Sequence, residues 1–454
     1  MKARSLFSHM RWLAVLLALA LVAAACGTDT DGDTTTTQAG ATPTAAPTTT
    51  ASESDATSTT GDAEGEQMGT LKVGLLNPLV GVFALLGGDT NLGFELYVEE
   101  QGGVLAGWEI ETVKEDDAGD PTEGSAKVRK LVEQDEIDVL IGGVSSGVAY
   151  GIGEYVASSG VPYVITIAGA DGLTQGDAVD NIFRISYTGS QPMHPLGEYA
   201  CETLGYETAT IVSLDFAFGW ETAGGFARIY EDSGCDVVQE IYVPLGTEDY
   251  APFVQQINRD SDVVMHVNSG PSGNLFWQTY RDFGYEQPVI GHGAIVDEAL
   301  LNTEDTNAVG ALTVMYWTRA DESDLNQAFV AAFEETNSAL VSQGAEAGYS
   351  AAMVLEAALE IAGADASDPA ALNAALAQIE VETPRGPIAF DEYGQAVMNF
   401  YLRETEVVEG DPAVNKQNTN VDTFPEVSQF WTFAPDEYLQ FELYTDLKGT
   451  WANN

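Results

Sequence analysis

From Leu71 onward the chain alternates short apolar runs with amphipathic segments, and that alternation restricts the fold more than any other feature it carries. LKVGLLNPL reads as a strand and DTNLGFELYVEEQG as a helix. WEIETVKED, IDVLIGG and VPYVITIAG read as further strands, separated by helices at TEGSAKVRKLVEQD and SSGVAYGIGEYVASSG. A second run follows, with strands at TATIVSLD, CDVVQEIYVP, SDVVMHVNS and QPVIGHGA, and helices at HPLGEYACETLG, GGFARIYEDSG, PFVQQINRD and GNLFWQTYRDFG. Strands that alternate with helices pair in parallel, and uninterrupted apolar strands need helices on both faces. The repeat therefore predicts an α/β protein of two Rossmann-like lobes with parallel sheets and a ligand cleft between them. An amphipathic helix at ESDLNQAFVAAFEETN, Ala-rich helices at SAAMVLEAALEIAGA and DPAALNAALAQIE, and a β-rich tail from Pro387 complete the pattern.

Upstream of this pattern, MKARSLFSHMRW carries Lys2, Arg4 and Arg11 and precedes LAVLLALALVAAA, which is the build of a secretory signal over residues 1–25. The signal ends in Ala23-Ala24-Ala25-Cys26-Gly27. That run resembles a bacterial lipobox, in which Cys26 would receive diacylglycerol; plain cleavage beside an incidental cysteine is the alternative. Residues 26–68 are rich in Thr, Ala, Ser, Asp and Gly with no basic or aromatic residue, and read as a disordered tether behind lipidated Cys26. No later segment offers about 18 uninterrupted apolar residues. The expected location is extracytoplasmic, with the chain anchored to the cell membrane through lipidated Cys26. A net charge of −53 excludes nucleic acid and anionic lipid surfaces as partners. It fits a halophilic source or an acidic extracellular protein equally well. Cys201 and Cys235 are the remaining cysteines; in an oxidising compartment such a leftover pair is expected to form a disulfide.

In open α/β sheets, ligands sit beyond the carboxyl ends of the strands. The loops to inspect are therefore 77–90, 142–148, 167–173, 215–220, 268–273 and 292–297. The second holds Gly143-Val-Ser-Ser-Gly147, which satisfies the G-x-S-x-G pattern of a nucleophile elbow. A serine nucleophile needs a base, and only His194, His266 and His292 follow it. His266 lies inside the apolar VVMHV, His194 opens a helix, and only His292 stands at a strand end; no HGGG-like oxyanion loop precedes the serine. The same turn can instead hold an anion, because the helix that begins near Ser146 presents unpaired N–H groups and the positive end of its dipole. Ser145 and Ser146 would add hydroxyl donors. Their minimal role is an N-cap, worth roughly 1 kcal/mol and compatible with a ligand contact. No CxxC, HExxH, Walker A or EF-hand spacing occurs, so no cofactor or metal is expected.

KVGLLNPLVGVFALLGGDTNLGFELYVEEQGGVLAG, VKEDDAGDP, IGGVSSGV, SGVPYVI, FRISYTGSQP, IVSLDFAFG, VPLGTEDYAPFVQQI, GYSAAMVLEAAL and TPRGPIAFDEYGQ, in that order, resemble the periplasmic leucine and branched-chain amino-acid binding proteins of ABC importers. The resemblance covers Thr70 to about Arg403. It implies a type I periplasmic-binding fold whose lobes are joined by a three-stranded hinge and close on a small solute. Residues 69–187 with 319–388 would form lobe 1, and 188–318 with 389–454 lobe 2. The family's carboxylate-binding serine falls on Ser145, and its next binding loop on Ala168, Gly169 and Ala170. The aromatic residue of its lobe 2 turn falls on Phe218. The family's acid for the α-ammonium group falls near Gly293, with Asp297 offset from it. Phe83 and Leu86 are candidates for the apolar wall. The family's lobe 1 disulfide positions fall on Gly119 and Val144, so that bond is lost. Asp116 and Asp117 in EDDAGDP read as loop structure. The implied function is a monomeric, non-enzymatic receptor that binds an amino-acid-like solute and delivers it to an ABC permease. Amides, urea-like compounds and carboxylates remain alternative solutes, and sensing for a membrane receptor is the alternative role.

Overall fold

The structure, a computed structural model, describes residues 67–270, 272–302, 308–409, 414–446 and 448–449. The expected signal segment, Cys26 and the tether as far as residue 66 lie outside the described residues.

The first sheet has six strands: β1 (Gly69–Asn77), β2 (Val104–Leu105), β3 (Trp108–Asp116), β4 (Val139–Gly142), β5 (Tyr163–Ile165) and β6 (Ile182–Arg184), in the order β2-β3-β1-β4-β5-β6. All its pairings are parallel except β2 with β3. The second sheet has nine: β7 (Thr208–Leu214), β8 (Asp236–Val243), β9 (Val263–His266), β10 (Val289–His292), β11 (Leu312–Met315), β12 (Glu380–Thr383), β13 (Gly386–Phe390), β14 (Ala396–Val407) and β15 (Lys416–Val427). There β8-β7-β9-β10-β11 is parallel, and the tail strands add to it antiparallel through β14. The central strands β4 and β9 are buried at every residue, as strands covered on both faces must be.

The helices are α1 (Ala84–Glu100), α2 (Pro121–Glu133), α3 (Ser146–Ser159), α4 (Met193–Glu198), α5 (Ala217–Asp232), α6 (Ala251–Val254), α7 (Ser272–Asp282), α8 (Glu298–Leu301), α9 (Asp324–Asn337), α10 (Gln343–Ala362), α11 (Pro369–Leu376) and α12 (Pro435–Tyr438). Three are shorter than their patterns indicate: α11 ends at Leu376, and Glu380, the last residue of DPAALNAALAQIE, already begins β12. α4 continues only as a π turn, Tyr199–Thr203. PFVQQINRD stops at Val254, where i→i+3 bonds such as Ile257 N–H to Val254 O take over; Asn258 then turns the chain by accepting from Asp260 N–H. Asp116 and Asp117 shape the turn after β3: Asp116 accepts from Leu79 and Ala118 N–H, and Asp117 from Gly119 N–H. Asp120 caps α2.

The backbones of α1 and α10 touch. A Cβ built on Gly93 would lie 1.9 Å from Ala345 O, and one on Gly348 1.9 Å from Thr90 O. α10 therefore belongs against the six-stranded sheet although it follows β11 of the other. The chain thus passes three times between the two bodies: after β6, after β11, and between α11 and β14. Arg184 and Gln395 tie the first and third crossings, with Arg184 Nη1 donating to Gln395 Oε1 at 3.0 Å and Gln395 Nε2 to Ser186 O at 2.7 Å. Cys201, within α4's continuation, is bonded to Cys235 before β8, their Cα atoms 5.9 Å apart.

Candidate functional site

β4 delivers the chain to Gly142 and Gly143, whose φ angles of +132° and +90° suit glycine. A Cβ would lie 2.5 Å from Leu76 O at the first and 2.3 Å from Tyr163 Oη at the second. This turn sets Ser145 as N-cap of α3, with extended backbone and no capping bond from its side chain. Ser146 Oγ is buried without a hydrogen-bond partner among the described residues. Two uncommitted hydroxyls therefore stand at the start of a 14-residue helix, whose first N–H groups have no intrahelical acceptors.

From the other body, α5 begins just past β7 and brings up Phe216 and Phe218. Between the lobes lies a cleft lined by Phe83, Val144, Ile167 and Gly169 on one side, Phe216, Phe218 and Ser269 on the other, and Tyr187 from the first crossing. Phe83 and Phe216 have ring centroids 6.2 Å apart, Phe216 and Phe218 6.1 Å, and Tyr187 and Phe218 6.2 Å. Gly169 lets the walls meet: a Cβ there would lie 3.2 Å from Phe218 Cδ2. The remaining free volume is about 20 Å³, room for about one water, so the lobes are shut and must part to admit anything larger. A groove of about 840 Å³ exists behind the third crossing, between α11 and the 391–394 turn. It lies away from the carboxyl ends of the central strands, where α/β folds place their ligands.

His292 extends the aromatic wall, 4.5 Å from the Tyr187 ring and 5.2 Å from Phe218. Its Nδ1 accepts from Ala294 N–H, so the proton sits on Nε2, which is buried without a partner. Burial, then Arg403, pushes its pKa down to about 3, so the ring is a neutral donor. Tyr316 lies 5.7 Å from Tyr187, with the Arg385 guanidinium 3.8 Å above its ring. Arg385 is ion-paired with Glu346 at full burial.

Of the residues picked from the sequence, Phe83, Gly169 and Phe218 line the cleft. Leu86 packs in the small apolar cluster of Phe83, Val144, Ile167 and Ala347. Ser145 and Ser146 form the adjoining turn. Ala168 and Ala170 are fully buried on either side of Gly169, and Ala170 O accepts from Arg184. Asp297 is not among the lining residues. Its carboxylate accepts from Ala299 N–H at 3.0 Å and Gln343 N–H at 3.1 Å; burial, then Glu298, raises its pKa to about 7. Nor does space remain at Gly293, where a Cβ would lie 2.5 Å from Arg403 Nη2 and 2.6 Å from Met315 Cβ. Sequence reasoning missed Val144, Ile167, Phe216 and Ser269 as individual residues, although all four fall in the inspected loops; Tyr187 falls outside them. The three described histidines all bond elsewhere: His194 with Tyr444, His266 with Val212 O and His292 with Ala294 N–H. The elbow at Ser145 thus meets no base among the described residues.

The family profile described as periplasmic binding protein matches residues 70–411, and the chain belongs to that family of ABC-transporter solute-binding proteins. Leu/Ile/Val-binding protein homolog 6 of Brucella abortus (strain 2308) is 28% identical over 357 residues, covering 76% of this chain and 90% of that protein. A solute-binding protein of an ABC transporter from R. palustris, solved in complex with benzoate, is 30% identical with a TM-score of 0.73, covering 79% of this chain and 97% of that one. Another, from Rhodopseudomonas palustris BisB5 in complex with 3,4-dihydroxybenzoic acid, is 28% identical with a TM-score of 0.74, covering 79% and 98%. No helix among the described residues is long and apolar enough to cross a membrane.

Proposed function

We propose that this chain is the extracytoplasmic receptor of an ABC importer, held at the membrane through Cys26, and that its solute is a small aromatic carboxylate rather than an α-amino acid. The observation that carries this reading is the make-up of the cleft: aromatic and aliphatic walls, free serine hydroxyls at a helix start, and no carboxylate among the lining residues. An α-ammonium group shut into such a space would lose its hydration without gaining a counter-charge. An aromatic ring instead gains edge and face contacts with Phe83, Phe216, Phe218 and Tyr187. Its carboxylate suits the Ser145–Ser146 turn, and His292 Nε2–H is a further donor for a ring substituent. The benzoate complexes of the R. palustris relatives support the same choice. The solute enters as the lobes part and is held when they close, and the closed monomer is what a permease meets.

Calorimetry and thermal shift with benzoate, 4-hydroxybenzoate, benzamide and leucine test this. The two carboxylates should bind, and at 100 times Kd should add about 2.7 kcal/mol of stability; benzamide and leucine should not. Ser145→Ala should cost benzoate about 1.5–3 kcal/mol of affinity, the range for losing a hydrogen bond to a charged group. Binding of leucine without benzoate would overturn the assignment.

A further inference from the structure

One buried cluster spans the two lobes without touching the cleft. Tyr150 on α3 and Asp171 in the turn after β5 come from the six-stranded side, and Glu221 on α5 from the other. Gly172 N–H donates to Tyr150 Oη at 2.9 Å, and Tyr150 O–H donates to Glu221 Oε1 at 2.5 Å. Asp171 Oδ1 accepts from Ser190 N–H at 3.3 Å. The other two oxygens, Asp171 Oδ2 and Glu221 Oε2, are buried and have no hydrogen-bond partner. The two acids are 3% and 2% exposed. Both residues border Gly189, where a Cβ would lie 3.1 Å from Glu221 Cβ and 3.4 Å from Asp171 Oδ1.

The Arg184 charge offsets the pair in part, but burial outweighs it. Arg184 on β6 is directed to Thr174 Oγ1, Gln395 Oε1 and Ala170 O rather than to either acid. Arg228 on α5 lies over the rings of Phe441 and Tyr444. Tyr438 and Tyr444 close the cluster from the C-terminal segment, with neutral His194 bonded to Tyr444. Burial raises Asp171 to about 6, and burial together with the Asp171 charge raises Glu221 well above the usual carboxylate range. Two carboxylates buried within reach of each other's charge resist ionising together. A cavity of about 50 Å³ reaches Tyr150, Asp171, Gln175, Glu221 and Arg228, and it offers water a route to the pair.

We propose that closure traps one proton between Asp171 and Glu221, so that solute capture is proton-linked: the receptor takes up a proton as its lobes shut and gives it back as they part. The inference rests on lobe closure as the binding step. In the open form the acids regain water and titrate near the ordinary carboxyl value of about 4. Below that pH both forms are protonated and the pair costs nothing. As pH rises the open form ionises while the closed form keeps its proton, so the closed form loses ground by up to about tenfold per pH unit, until the closed pair also ionises.

The test is small-angle X-ray scattering of the full ligand-free chain from pH 4.5 to 8 at fixed ionic strength, comparing wild type with Glu221→Gln and Asp171→Asn. Wild type should expand as pH rises, whereas the variants, with one charge of the pair removed, should expand less or not at all. Parallel curves in all three proteins would overturn the proposal. With benzoate as probe, Kd should climb with pH in wild type by up to about tenfold per unit and go on climbing above pH 6, whereas in Glu221→Gln, where burial alone holds Asp171 at about 6, the climb should level off near that pH; identical curves in the two proteins would also overturn it. If benzoate fails to bind at every pH, the solute assignment falls, and the ligand-free scattering still decides the proton linkage.

Discussion

Glu346→Ala should cost this protein about 3–5 kcal/mol of stability, the penalty for leaving a buried charge without its partner. Glu346 on α10 is fully buried, and Arg385, just before β13, has only 1% of its side chain exposed. Arg385 Nε donates to Glu346 Oε1 at 2.8 Å, and Nη2 donates to Oε2, a two-pronged arrangement. Nη1 donates to Ile185 O at 2.9 Å, and Ser350 Oγ donates to Glu346 Oε1 at 2.5 Å. Truncating the acid leaves a guanidinium in the interior over Tyr316, which stands behind Tyr187 of the cleft wall. A shift in the urea midpoint reads the loss, and affinity for benzoate should fall with it. Glu346→Leu combined with Arg385→Met should recover most of the stability, because an apolar pair of similar volume replaces the ion pair at little cost. A single variant that lost less than about 1 kcal/mol would show that water reaches the site.

The second large effect lies where α1 crosses α10. Gly348→Ala should cost about 3 kcal/mol, at the upper end for overpacking, because the new methyl meets Thr90 O and the backbone of Phe94, which cannot swing aside as a side chain would. The shift passes into Leu86 and Ala347, which pack beneath Phe83, so solute binding should weaken as well. Gly88→Ala, on α1 itself, is the control. A Cβ there meets nothing within 4 Å, and the change should stabilise by about 0.5–1 kcal/mol through helix propensity alone. Thermal midpoints of the two variants should therefore move in opposite directions.

Much of the architecture was legible because strand and helix periods are local properties. WEIETVKED matches β3 residue for residue, and the elbow at Gly143 opens α3 as its pattern requires. Loop ends were legible for the same reason: Val144, Ile167, Phe216 and Ser269 all lie beyond carboxyl ends of parallel strands. Tyr187 was not, because its place depends on how the chain passes from one sheet to the other, which no local pattern encodes. Asp297 misleads in the opposite sense. It is an acid beside a strand end, yet the fold uses it to cap α8 and to hold Gln343 N–H. The Arg385–Glu346 pair was also illegible. Its members are 39 residues apart, and Glu346 sits in an Ala-rich helix where an exposed face would be the ordinary reading of a charge. The proton-trapping acids came together in the same way, from two lobes that only the tertiary structure brings face to face.

The bond between Cys201 and Cys235 has a consequence for how this molecule is damaged. It closes a ring of chain that contains β7 and α5, hence Phe216, Phe218 and Glu221. A protease that cuts anywhere inside that ring breaks a peptide bond but does not separate the pieces. The clipped molecule migrates as a single species on a denaturing gel until a thiol is added, and only then falls into two fragments. One wall of the cleft is therefore insured against nicking by connectivity alone, whatever the strength of the packing around it.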